Sequence, residues 1–268
     1  MKKLVIIFSF SLFVTAIQGQ CNFIQGVFGD GEEISYTVSY NWGPVWVDAG
    51  LVKFSVTNEV YKNKDVWHLK ASGKTFTSYD LFFKVHDYYD SWVDRTTFTP
   101  IDFKRHIFEG GYTLLNTLNF EPQNKRVISN TKTNDNPQRK DTFSIKYCSF
   151  DMLSAIYYVR SLDFSNIQKD IIKNIPVLID DGYYGIIVRT IGKETVENTD
   201  GKKYRCIKFA AKMVQGTIFR GDEDVLVWVT DDDNRIPIYI EAKILVGTIK
   251  AYLREAKGVS HPMTSMVK

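Results

Sequence analysis

No Cys-x-x-Cys, His-Glu-x-x-His, Gly-x-Ser-x-Gly or Gly-x-Gly-x-x-Gly occurs in the 268 residues, and no complete phosphate-binding loop ends in Gly-Lys-Ser/Thr. These absences remove the sequence signals for thioredoxin chemistry, zinc knuckles, zincin proteases, nucleophile elbows, dinucleotide folds and nucleotide-phosphate loops. No cofactor is implied. An enzyme is not thereby excluded, because catalytic constellations are assembled in space. Histidine is scarce, and the four present (His68, His86, His106, His261) show no paired spacing. Charge of one sign is also lacking, with 34 basic against 31 acidic residues. Such a balance provides no field for nucleic acid or an anionic membrane.

One apolar run exists, and it is at the start. Lys2-Lys3 precedes Leu4–Ala16, followed by the polar patch Gln18-Gly19-Gln20. A bilayer span needs about 20 apolar residues, so this shorter run is expected to be a signal peptide over residues 1–19. Ile17 is a poor fit to the small residue usual three positions before the cut. Without the leader's two lysines, the formal charge falls from +3 to about +1. No transmembrane segment is expected in the mature chain. The chain is therefore expected to be exported. Gln20 disfavours a lipid anchor at Cys21, since a small residue normally precedes a lipidated cysteine.

Only three cysteines are present: Cys21, Cys148 and Cys206. An oxidising compartment permits one disulfide among three pairings. Cys21 with Cys148 is preferred, because both border irregular segments while Cys206 falls inside a strand. Three free thiols remain an alternative.

Aromatics, in contrast, are abundant: 15 Tyr, 18 Phe and 5 Trp. Such residues fit the half-buried surface of a sheet, and period-two alternation dominates. Ile34, Tyr36, Val38 and Tyr40 alternate with polar residues, as do Val52, Phe54 and Val56. Further strands are predicted over Val66–Ser72, Tyr88–Val93, Phe103–Phe108, Tyr112–Phe120, Arg126–Thr131 and Thr142–Tyr147. In the second half they are Val177–Asp180, Tyr184–Val196, Lys203–Lys212, Val225–Thr230, Pro237–Val246 and Thr248–Arg254. Asn198-Thr-Asp-Gly201 and Asp231-Asp-Asp-Asn234 carry turn chemistry. Helical spacing appears over Asp151–Arg160, with Met152, Ala155/Ile156 and Val159 on one face and Ser149 or Asp151 to cap it. A helical turn is also expected over Ser78–Lys84.

The predicted fold is mainly all-β: a curved antiparallel meander, forming an open or closed β-barrel, with one or two short helices. One domain is expected over residues 20–257, followed by a flexible tail over 258–268. The helix would plug an open mouth or cross the concave face.

Candidate sites are few. Asp231–Asn234 offers oxygen ligands for calcium, but an EF-hand needs Gly at its sixth position and a distal Glu, and Ile236 stands there. A solvated turn is the simpler reading. Asp87, Asp90 and Asp94 lie among Tyr88, Tyr89 and Trp92, as in sugar-cleaving sites. Asp90 and Asp94, however, would stand about 13 Å apart along a strand, too far for either hydrolytic geometry. Trp42-Gly43-Pro44-Val45-Trp46 places two indoles near a turn. Exposed, Trp42 and Trp46 would grip an apolar ligand or sugar ring; packed inward, they would close the barrel's rim.

Three segments together resemble one family. They are Gly31-Glu32 leading into Ile34-x-Tyr36-x-Val38-x-Tyr40 and Trp46-x-x-Ala49-Gly50, the helix Asp151–Arg160, and Val227–Pro237 through Val246-Gly247. They look like the exported bacterial proteins grouped as domain of unknown function 3108. The resemblance spans roughly residues 31–254. It implies a Gram-negative protein, periplasmic or outer-membrane-associated, with a curved antiparallel sheet, and it implies no catalytic residues. Sheets of this kind also look like the half-barrels of periplasmic lipoprotein carriers, whose concave faces hold acyl chains; that is likeness of fold alone. The leading expectation is a non-enzymatic protein holding a lipid-like or other apolar ligand in a cavity of several hundred cubic ångströms. The alternatives are a structural or protein-interaction module, and an envelope polysaccharide hydrolase.

Overall fold

The structure is a computed structural model that describes residues 21–42, 45–79, 83–146, 148–164, 172–179, 182–212, 224–244 and 247–267. The expected leader lies outside the described residues.

The first half of the chain builds β1 (Glu33–Trp42), β2 (Val45–Tyr61), β3 (Lys64–Thr75), β4 (His86–Asp94), β5 (Pro100–Glu109), β6 (Tyr112–Glu121), β7 (Arg126–Thr133) and β8 (Arg139–Ser144). A short strand, β9 (Phe150–Asp151), leads into the helix α1 (Met152–Arg160). Then follow β10 (Ile172–Ile179), β11 (Gly182–Glu197), β12 (Lys203–Lys212), β13 (Asp224–Thr230), β14 (Pro237–Lys243), β15 (Thr248–Lys257) and β16 (Met266–Val267).

All the strands belong to one sheet, in which β1 pairs with β15 and so joins two meandering arms. One arm runs outward from β1 to β8, the other from β15 back to β9. Pairing is antiparallel except between β9 and β10. The sheet does not close; β8 and β9 are its ends. Bulges bend it, among them one where Val38 faces Gly50 while Ser39 faces Asp48. An extra residue on one strand increases local twist and curls the sheet. Two-residue turns keep the register of the first arm. Lys62 and Asn63 both adopt positive φ, as do Gly110 and Gly111, and two such residues match a hairpin turn to the strands' twist.

The alternation predicted from the sequence has one face buried. Phe103, Leu118 and Val127 sit on the inner surface of the first arm, and Phe209, Val229 and Ile175 on that of the second. Phe98, Phe150 and Tyr158 stack between them, with Phe98–Phe150 centroids 6.2 Å apart and Phe150–Tyr158 centroids 4.4 Å apart.

The helix lies against β3, β4, β9 and β10, across the concave side. Asp151 caps it, accepting from the Leu153 and Ser154 amides at 2.9 Å. The same buried carboxylate also accepts from Ser91 Oγ on β4 at 2.7 Å. The buried face differs from the sequence reading. Leu153, Tyr157 and Arg160 are buried, whereas Ile156 is 45% exposed. Apolar residues surround most of this short helix, so periodicity alone does not choose a face. The choice falls to Arg160, which finds a buried carboxylate. Its guanidinium grips Glu32 at 2.7 and 3.0 Å and also donates to Asn234 O at 3.0 Å.

Cys21 and Cys148 form a disulfide, with Cα atoms 5.4 Å apart. It joins the segment before β1 to the segment before β9. Cys206 is free and buried, and burial pushes its thiol up to about 12. Such a thiol is chemically inert near neutral pH.

The expected flexible tail over 258–268 requires correction. Met266 and Val267 pair with β12 as β16. The Arg205 amide donates to Ser265 O at 2.9 Å, and the Ser265 amide donates to Asp232. Asn234 bonds the backbone of His261 in both directions, each at 2.8 Å. Its backbone groups have partners in β12 and in the β13–β14 turn.

Candidate functional site

Curvature leaves an apolar cavity of about 410 Å³ between the concave side of β1–β4 and α1. Val38 and Tyr40 of β1, Phe54 of β2, Tyr89 of β4, and Met152 and Ile156 of α1 form much of its wall. Small residues create the space. Ala71 and Gly73 occupy wall positions where neighbouring strands carry large side chains. Gly50 has a separate role: a Cβ there would stand 2.4 Å from Lys74 O, so β2 and β3 approach too closely for any other residue. A cavity of this size with one acidic group falls within the usual range of small-molecule sites.

That acidic group is Asp87, only 7% exposed on β4. Its carboxylate accepts from the Phe108 amide at 3.1 Å and shares a hydrogen bond with Glu109. Burial pushes the carboxyl up to about 6; the Phe108 hydrogen bond opposes this, Glu109 adds to it, and Arg105 opposes it more weakly. Unfolded, the group titrates near 3.8, so between about pH 4 and 6 the folded chain holds the proton more tightly. Its contribution to stability is present below about pH 4 and is lost as pH rises through 6. Asp87→Asn is expected to flatten this part of the stability–pH curve by on the order of 1–2 kcal/mol. Urea midpoints at pH 4 and pH 7, compared between wild type and variant, measure it. Parallel pH dependence in the two proteins would show that Asp87 is not the titrating group.

The acidic triplet seen in the sequence does not assemble into one site. Asp90 faces His68 Nε2 at 2.8 Å, while Glu59 faces His68 Nδ1 at 3.2 Å. Trp92 stacks on His68 with centroids 4.5 Å apart and donates its indole N–H to Glu59 at 2.8 Å. Asp94 binds the amides of Thr96 and Thr97 in the turn before β5. Asp87 does have an acidic neighbour, Glu109, but two carboxyls sharing a hydrogen bond are closer than the about 5 Å that a retaining glycosidase requires.

Trp46 is 43% exposed, and the Lys250 ammonium lies 4.2 Å from its ring centre. It therefore does not close a rim from inside, and it is not part of the cavity wall. Trp42 ends β1, and its side chain lies outside the described residues, as do Gly43 and Pro44. The Asp231–Asn234 turn is not merely solvated. Asp231 pairs with Lys193 at 2.9 Å, Asp232 accepts from Thr230 and Asn234, and Asn234 is fully buried. Among the described residues, no group of three or more His, Cys, Asp or Glu is placed to hold a metal. None of the described helices is long and apolar enough to cross a membrane.

Sequence reasoning missed Glu109, Arg105 and the small residues Ala71 and Gly73. Small residues at inward positions within an otherwise bulky strand were the available signal for the cavity.

A search of curated proteins finds no match. Among solved structures, a β-barrel-like protein of domain of unknown function DUF1849 from Brucella abortus is similar in fold. Its TM-score is 0.55 at 10% identity, covering 85% of this chain and 97% of that one. The model of the family described as "Protein of unknown function (DUF3108)" matches residues 35–254, from β1 through most of β15. With that match over most of its length, the chain belongs to the DUF3108 family.

Proposed function

We propose that this is an exported, non-enzymatic envelope protein that holds a hydrophobic or amphipathic small molecule in the cavity beneath α1. The observation that carries this reading is the 410 Å³ space with an almost wholly apolar wall. A barrel built only for structural purposes would pack that volume with side chains. The helix supports the same reading: Met152 and Ile156 face the cavity, so one element both anchors in the core and forms a wall.

Filling the cavity tests the proposal. A Cβ on Gly73 would meet only Val52 Cγ2, at 3.8 Å, so a larger side chain enters free space. Gly73→Leu is expected to weaken binding of the neutral apolar dye N-phenyl-1-naphthylamine at least tenfold, while the melting temperature stays within a few degrees. Dye fluorescence and thermal melts measure both quantities. Unchanged dye binding in a folded Gly73→Leu variant would remove the cavity from consideration. Native mass spectrometry of protein gently purified from its own cells would then show whether any small molecule travels with it.

A partner-binding role has weaker support. The free edge β8 carries Arg139, Lys140 and Asp141, and charged residues on an edge discourage strand addition.

A further inference from the structure

The cavity wall is mostly apolar, and its one acidic residue is Asp87. Asp87 is more than nine-tenths buried, lines the cavity, and has a second carboxyl, Glu109, in hydrogen-bond contact. Every element packed around it supplies a defined neighbour. Strand β3 contributes Gly73 and Thr75, α1 contributes Met152 and Ile156, and β5 contributes Glu109 and Arg105. Lys74 also borders the cavity, but it is exposed and alternates with Gly73, which directs its ammonium to the opposite face of the sheet. Arg105 aims Nη1 at Met152 Sδ, 3.9 Å away, and is not part of the wall. Two carboxyls against one guanidinium leave an excess of acceptors beside an apolar space.

We propose that the cavity takes a single-chain amphiphile with a protonated amine head, its alkyl chain along Tyr40, Phe54 and Met152 and its ammonium donating to Asp87. This rests on the ligand-holding reading above and gives it a ligand class. An ammonium supplies Asp87 with further N–H donors and a positive charge inside the cavity, and charge-assisted hydrogen bonds are about twice as strong as neutral ones. A carboxylate head would instead meet like charge. Burial raises the Asp87 carboxyl toward neutrality when the cavity is empty, and a bound ammonium would favour its charged form.

The test displaces N-phenyl-1-naphthylamine from the full-length protein at pH 7.5 with dodecylamine, dodecanol, dodecanoate or lysophosphatidylethanolamine. Dodecylamine is expected to displace the dye at roughly tenfold lower concentration than dodecanol, with dodecanoate weakest. The dodecanol-to-dodecylamine ratio is expected to fall toward one in Asp87→Asn. If that variant does not fold, the wild type at pH 4.5 carries the test, because protonation of Asp87 should lower the ratio in the same way. Displacement by lysophosphatidylethanolamine at similar concentration supports the proposal with a lipid headgroup as the amine source; displacement by dodecylamine alone supports it with a free amine. Equal displacement by amine and alcohol, or a preference for dodecanoate, overturns the amine proposal while leaving the cavity reading intact. Absence of dye binding to the wild type overturns both.

Discussion

Arg160→Met is expected to lower the free energy of unfolding by about 3–5 kcal/mol, because it leaves the Glu32 carboxylate buried without its partner. Glu32 is fully buried and Arg160 nearly so. The guanidinium meets both carboxylate oxygens, one backbone carbonyl, and the faces of Tyr157 and Phe28 at 5.3 and 5.9 Å. The pair ties the end of α1 to the segment entering β1 and to the β13–β14 turn. Its loss should therefore be felt at three places in the fold. The doubly substituted Glu32→Gln/Arg160→Met is expected to recover much of the loss, since breaking a buried pair costs more than removing it. Urea denaturation of the single and double variants measures the difference. A single variant as stable as wild type would mean that water reaches this site.

Reduction of the Cys21–Cys148 bond is expected to destabilise the protein by about 2–5 kcal/mol, because the bond closes a long loop in the unfolded chain. The two cysteines are 127 positions apart. The bond also secures Phe23 and Phe28 against Phe98, whose ring centroids lie 5.0 and 6.0 Å away. Thermal melts with and without dithiothreitol, and of Cys21→Ser/Cys148→Ser, give the magnitude. Cys206 should stay unreactive toward a thiol reagent until the protein unfolds, as expected for a buried thiol pushed up to about 12. An unchanged melting temperature on full reduction would assign no stabilising role to the bond.

Much of the sheet was legible. Alternation such as Ile34-x-Tyr36-x-Val38-x-Tyr40 marks β1, and the Asn198–Gly201 turn closes as its residues imply, with the Gly201 amide donating to Asn198 O at 2.9 Å. The helix was legible in place but not in orientation, since apolar residues on several sides give no unique face. The final ten residues were read as a frayed tail because they stand at the terminus, and no local pattern marks the strand and turn that accept them. The site was less legible still. Asp87 was visible as one of three acids, yet nothing local distinguishes it from Asp90, which faces His68, or from Asp94, which caps a turn.

The residues alone determined a mostly β chain, where its strands run, and which family it belongs to, because side-chain alternation and turn chemistry act over two to four positions. Tertiary structure alone decided that β1 pairs with β15, that the sheet stays open, that Arg160 faces inward to Glu32, and that a cavity with one acidic wall position remains beneath the helix. Those outcomes depend on curvature and on contacts between residues as far apart in the chain as Glu33 and Lys257, and no local pattern encodes either.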